Sequence, residues 1–253
     1  MKIAAYQAPL EACASIPATV VLIRERVDWC EAEGVRILCC PEAVLGGLAD
    51  NVLCPADIAL SIEDGEVGKV LAPLASRKVV TIVGFTEVDS HGRLFNSAVV
   101  LQDGAIAGIC RKLYPAQRQS VYQPGHQMPV FVVDNLTFGI AICRDSTFSE
   151  PAAVMASKGA TVLFVPSHNA LKPGTGPELI AEARQCDVDI ATANRMFVIR
   201  ADVAGRAGDL TSFGATGIVS PDGTVLQEAR QLGPDLLVAK IEMAWLRISW
   251  NKP

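Results

Sequence analysis

Charge is scarce in this chain: only 19% of its 253 residues are Asp, Glu, Lys or Arg, against about 25% in an ordinary soluble protein. No basic run stands out, and 27 acidic against 22 basic residues leave a net charge of −5. That balance argues against a nucleic-acid binder or a protein held on an anionic membrane. Long hydrophobic runs are missing as well. The longest, 79–85 and 161–165, fall far short of the ~18 residues a membrane helix needs. There are only three histidines, and the eight cysteines form no CxxC pair, so neither a zinc site nor a thioredoxin motif finds support. The opening MKIAAYQAPLEACAS has one basic residue, and Gln7, Pro9 and Glu11 interrupt its apolar stretch. It makes a poor signal peptide, and a reduced, cytoplasmic protein is the expectation.

Apolar residues, by contrast, make up 50% of the chain. Such a surplus suggests a sheet buried on both faces, a subunit interface, or both. No repeat, low-complexity tract or linker divides the sequence, so a single domain over 1–253 is expected. Short β-branched runs recur at 3–6, 37–40, 79–83, 96–101, 130–133, 138–142, 161–165, 197–201, 216–219 and 236–241. Most are bounded by Gly, Pro, Asn or Asp, as strands are. Helical spacing appears at 16–33, where Val20, Ile23, Val27 and Cys30 share a face and Gly34 follows the end. Further helices are expected at 151–158 and 178–189, and hairpins at 87–93 and at Asp103-Gly104. So many strands pack more economically as two sheets face to face than as one.

Three strands run straight into reactive residues. One ends in Pro41-Glu42, one in Arg111-Lys112 and one in Cys143-Arg144-Asp145. Ligands gather at the carboxyl ends of strands in open α/β sheets. The three residue types also fit one another chemically. A thiol must lose its proton to become a good nucleophile, and a buried carboxylate can accept it. An ammonium favours the thiolate and stabilises an oxyanion, and it neutralises the carboxylate besides. Spacing alone is a weak signal, because a strand-end Glu is more often exposed and a Cys more often a buried structural thiol.

The sequence around these residues resembles the nitrilase superfamily of carbon–nitrogen hydrolases. Three blocks occur in the family's order: Leu38-Cys-Cys-Pro-Glu42 with Gly46-Gly47, then Leu94-Phe-Asn96 onward to Arg111-Lys112, then Gly139-Ile-Ala-Ile-Cys143-Arg-Asp145. Supporting stretches include Val165-Pro-Ser-His-Asn169, Ala193-Asn194-Arg195 and Phe213 to Gly223. The resemblance implies a four-layer αββα sandwich of two mixed sheets flanked by helices, and usually a homodimer. It implies Glu42 as general base, Lys112 as charge stabiliser and Cys143 as nucleophile, with the Arg144 backbone N–H in the oxyanion hole. No metal or organic cofactor is implied, and the partner is a small-molecule amide.

Two departures stand out. The family commonly carries a second glutamate soon after the lysine, yet no Glu occurs from Leu113 to Ile142. Gln117 or Arg118 falls nearest its place, and Arg118 is expected to point outward. Members acting on substrates with a free carboxylate often carry Arg three or four residues past the nucleophile. Here Ser146 and Thr147 stand there, which favours a small neutral amide. His168 beside Asn169 could line the pocket, although a lone His after a Pro-Ser turn is more often a plain loop residue. Asp145 and Glu150 would orient the loop and cap a helix starting near Pro151, and strand alternation would turn the Arg144 side chain away. Trp245 and Trp250 suggest packing against a partner subunit. The leading expectation is an amidase-type hydrolase, in which Cys143 is alkylated ahead of the other cysteines. The alternative is a non-catalytic binding or regulatory protein on the same fold.

Overall fold

The computed structural model describes residues 1–115, 119–170 and 178–241. Gln117, Arg118, Trp245 and Trp250 lie outside them. The first half runs β1 (Lys2–Pro9), α1 (Ile16–Glu33), β2 (Val35–Cys39), β3 (Ala59–Ser61), α2 (Glu66–Leu71), β4 (Val80–Val88), β5 (Leu94–Gln102) and β6 (Ala105–Arg111). Then come β7 (Val130–Val133), β8 (Leu136–Ile140), α3 (Ser149–Ser157), β9 (Val162–Pro166), α4 (Glu178–Asn194) and β10 (Phe197–Ala201). Five short strands close the described chain: β11 (Val203–Ala207), β12 (Leu210–Ser212), β13 (Gly217–Val219), β14 (Val225–Glu228) and β15 (Asp235–Lys240).

Local chemistry accounts for the boundaries. Ser15 caps α1 by accepting the Ala18 N–H, and Gly34 ends it with φ 69°, a left-handed value that glycine adopts without strain. The β5–β6 turn is Asp103-Gly104, both at positive φ, as a two-residue hairpin demands.

One sheet has the strand order β12-β11-β1-β2-β4-β5-β6, with β15 also paired to β1 and β3 to β4; the other runs β14-β13-β10-β9-β8-β7. Both are mixed. The β1–β2, β2–β4, β8–β9 and β9–β10 pairs are parallel, whereas β4–β5, β5–β6 and β7–β8 are antiparallel. Strand alternation sorts the apolar side chains into layers. Ile3, Ala5, Ile37 and Ile82 of the first sheet meet Phe138, Ile140, Phe164 and Ile199 of the second in a shared core. Their neighbours Ala4, Tyr6, Leu38 and Val83 face the other way, onto Ile23 and Val27 of α1 and Leu71 of α2. On the far side Leu163, Val165 and Val198 pack with Met155 of α3 and Ile190 of α4. These three apolar layers between four structural layers make the expected αββα sandwich, and they explain why the strands are apolar on both faces.

Two expectations need correcting. The third helix begins at Ser149 rather than Pro151, and no side chain caps it. Glu150 accepts a hydrogen bond from the Tyr114 hydroxyl instead. Arg144 does not sit on a strand. β8 ends at Ile140, and residues Cys143–Thr147 form a 3-10 turn. Arg144 is still exposed, reaching the Pro115 carbonyl at 3.5 Å, because the turn rather than sheet alternation directs it outward.

Candidate active site

Glu42, Lys112 and Cys143 each follow a strand closely, and all three strands deliver them to one place. Glu42 stands three residues past β2, in a loop pinned by its own N–H to the Ser167 carbonyl at 3.3 Å. That loop crosses β4 so tightly that a Cβ on Gly84 would lie 2.4 Å from the Pro41 carbonyl and 2.5 Å from the Ala43 nitrogen. Only glycine leaves room for it. Lys112 follows β6 directly. Its N–H bonds the Asn96 carbonyl at 2.8 Å, and its carbonyl accepts the Gly125 N–H at 2.7 Å.

Glu42 and Lys112 are 1% and 2% exposed, and Lys112 Nζ donates to Glu42 Oε1 at 2.5 Å. Asn96 Nδ2 donates to the same oxygen at 2.7 Å. Burial by itself would pull the Lys112 ammonium down, but the Glu42 carboxylate outweighs it and holds Lys112 above its ordinary value. Glu42 is the only acid in ion-pair contact with Lys112 among the described residues. Asp145 acts on the ammonium from further away.

Cys143 opens its turn at φ 47°, a strained conformation for a residue with a Cβ. Burial pushes its thiol up to about 12, and Glu42 adds to the rise. Lys112, Arg200 and the His168 backbone N–H pull the other way. The resting residue is therefore a neutral thiol, and Sγ donates a long hydrogen bond of 3.7 Å to Asn169 Oδ1. Cys54 is the one exposed cysteine, whereas Cys143 and Cys186 are half-buried and the rest are buried.

The neighbours of the trio are ordered by buried carboxylates. Asp145 accepts backbone N–H bonds from Ile142, Leu113 and Tyr114 at 2.9–3.2 Å, so it ties the cysteine turn to the residues after Lys112. Burial nonetheless pushes its carboxyl up to about 6. Asp202 takes the Asn169 backbone N–H at 3.0 Å and its Nδ2 at 2.9 Å, which presents Oδ1 to the thiol. His168 is buried beside Glu42 and Lys112 rather than lying in an open loop, and burial lowers it, keeping the imidazole neutral. Its Nδ1 has no hydrogen-bond partner among the described residues.

Asn96, Asp202, Asp187 and Arg200 were not singled out from the sequence as site residues. The available signal was a polar residue inside an apolar strand, as in Leu94-Phe-Asn96 and Phe197-Val-Ile-Arg200. A cleft of about 530 Å³ lined by Arg93, Phe95, Arg111 and His126 contains none of the trio. Its arginines are already paired, Arg93 with Asp89 and Arg111 with Glu87. Among the described residues no three His, Cys, Asp or Glu are grouped to hold a metal ion, and no helix is long and apolar enough to cross a membrane.

Comparison with known proteins identifies the family. A family model described as carbon-nitrogen hydrolase matches residues 2–247. A nitrilase of Pyrococcus abyssi is 30% identical over 193 residues, covering 76% of this chain and 70% of that one. Omega-amidase NIT2-A of Xenopus laevis is 29% identical over 198 residues, covering 72% and 68%. Among solved structures, an amidase from Nesterenkonia sp. superposes with a TM-score of 0.79 at 20% identity, over 98% of this chain and 92% of the other. That last likeness speaks to the fold alone. The family model runs across nearly the whole sequence, and the chain belongs to the carbon–nitrogen hydrolases of the nitrilase superfamily.

Proposed function

We propose that this protein hydrolyses a small neutral amide through a thioester on Cys143. Glu42 takes the thiol proton as sulfur attacks the amide carbon. Lys112 and the Arg144 backbone N–H hold the oxyanion of the tetrahedral intermediate. The intermediate collapses, the C–N bond breaks, and Glu42 returns the proton to the departing ammonia or amine. Water, deprotonated by Glu42, then attacks the thioester, and the carboxylic acid leaves with the thiol restored. None of these steps calls on a cofactor.

The observation that carries this reading is the buried Glu42–Lys112 contact at 2.5 Å beside a thiol held neutral. A neutral thiol needs a base at the moment of attack, and a buried carboxylate supplies one. A neutral substrate is favoured because the two buried cations acting on Cys143 are already engaged, Lys112 with Glu42 and Arg200 with Asp187. Among the described residues neither of these cations is left open to meet a substrate carboxylate. Asn169 and the free Nδ1 of His168 are the groups we assign to the substrate amide. We further propose that the enzyme works in the cytoplasm as a homodimer.

The test is ammonia release from a panel of primary amides, carbamoyl compounds and nitriles, with Cys143→Ala as control. Small neutral amides should turn over and the variant should not. Turnover surviving in the variant would overturn Cys143 as nucleophile, and none from any compound with the native protein would leave a binding role as the better reading.

A further inference from the structure

Arg200 is an anomaly in its layer. It shares a face of β10 with Val198, which packs in the apolar layer against α4, yet it is a buried cation, 2% exposed. Burying a guanidinium is unfavourable unless every donor finds a partner, and here the partners are specific. Nε donates to Asp187 Oδ2 at 2.9 Å and Nη2 to Asp187 Oδ1 at 2.6 Å. Nη1 donates to Ser167 Oγ at 2.6 Å, and Nη2 also reaches Ser146 Oγ at 3.0 Å.

Both serines lead to the reaction centre. The Ser146 hydroxyl donates to the Cys143 carbonyl at 2.7 Å, bracing the turn whose first residue holds a strained φ of 47°. The Ser167 carbonyl receives the Glu42 N–H. One guanidinium thus fastens the residue carrying the thiol and the loop carrying the carboxylate. Its charge acts on the same thiol. Asp187 is shared with Arg184, 3.1 Å away, so two guanidiniums meet one buried carboxylate. At the exposed end of the cluster Arg184 also pairs with Glu228 at 3.0 Å.

We propose that Arg200 is a positioning residue for the hydrolysis: it holds the Cys143 turn through Ser146 and the Glu42 loop through Ser167, and its positive charge favours the thiolate. This rests on the reading of Cys143 as nucleophile. The charged groups acting on the thiol are then Glu42 against the thiolate, and Lys112 and Arg200 for it, with Asp187 and Asp202 facing Arg200.

The experiment measures iodoacetamide alkylation at Cys143, resolved from Cys54 by mass spectrometry, between about pH 7 and 9, together with kcat and KM on the best amide. Three variants separate the roles. Arg200→Gln combined with Asp187→Asn removes the charge without stranding a carboxylate. It should slow alkylation at each pH, by less than tenfold because two opposite charges leave together, and lower kcat about tenfold with KM nearly unchanged. Arg200→Lys keeps the charge but not the fork, so alkylation should stay near the native rate while kcat falls. Ser146→Ala removes the hydroxyl that joins Arg200 to the Cys143 carbonyl, leaves the Ser167 link in place, and should lower kcat about tenfold. A folded double variant with native alkylation and native kcat overturns the proposal. If the double variant does not fold, a native kcat in Ser146→Ala overturns it. A native Cys143 that neither alkylates nor is needed for ammonia release overturns the nucleophile reading and this one with it.

Discussion

The Glu42–Lys112 pair is where a single substitution is most informative. Glu42→Gln removes the base for Cys143 and strands a buried ammonium whose only ion-pair partner among the described residues is gone. Breaking a buried pair in this way typically costs about 3–5 kcal/mol, and each kcal/mol lowers the melting temperature of a domain this size by roughly 2–4 °C. Lys112→Met leaves Glu42 able to take up a proton and keep the Asn96 hydrogen bond, so its loss should be smaller. Both variants should lose hydrolysis, and calorimetry should rank Glu42→Gln below Lys112→Met in melting temperature. Equal melting temperatures for native protein and Glu42→Gln would mean that another acid neutralises Lys112. Asp145, already within electrostatic reach, is the first to examine.

At the scale of elements, the site depends on how loops cross strands. Alanine at position 84 would drive its Cβ into the backbone of Pro41 and Ala43. Backbone cannot swing aside as a side chain can, so the Glu42 loop must move. Overpacking of this kind costs about 1–3 kcal/mol. A 1 Å misplacement of a reacting group costs about a hundredfold in rate, so kcat for Gly84→Ala should fall far more than its stability. A second element-scale prediction concerns Asp145, which links the Cys143 turn to the residues after Lys112. Its folded value of about 6 lies above the ordinary 3.8, so the folded chain binds this proton more tightly than the unfolded chain. That stabilisation is complete below the ordinary value and is lost as pH rises through about 6. Two units correspond to about 3 kcal/mol. Urea titrations across this window should show native stability falling relative to Asp145→Asn as pH rises. A constant difference between the two would contradict the assignment.

For the whole molecule, the prediction is assembly. Low charge and an apolar composition leave large side chains in water even after the sandwich closes. Val21 is 59% exposed and Trp29 41% on α1, and Val132 is 56% exposed on β7. Such surface is normally covered by a partner, and closed two-fold dimers are the commonest solution. Light scattering at micromolar concentration should return twice the chain mass. A monomer there would contradict the proposal.

The sandwich and its loops divide cleanly between what could be read along the chain and what could not. Strand and helix periodicity, the Gly34 stop and the Asp103-Gly104 turn are local properties, and they appear in the structure where the residues predict them. The strands that escaped notice, β3, β11, β12 and β14, are only three to five residues long, so no extended apolar run marks them. Glu42, Lys112 and Cys143 were legible because three apolar strands end beside them and because their flanking blocks resemble a known family. The partners that hold them were not legible. Asn96, Arg200, Asp187 and Asp202 come from strands and a helix far apart in sequence, and each reads locally as an isolated polar residue. Their roles exist only where the sheets and α4 pack together and burial makes every unpaired polar atom costly. The sequence alone thus determined the layers and the candidate reacting groups, and the tertiary structure decided which side chains hold those groups in place.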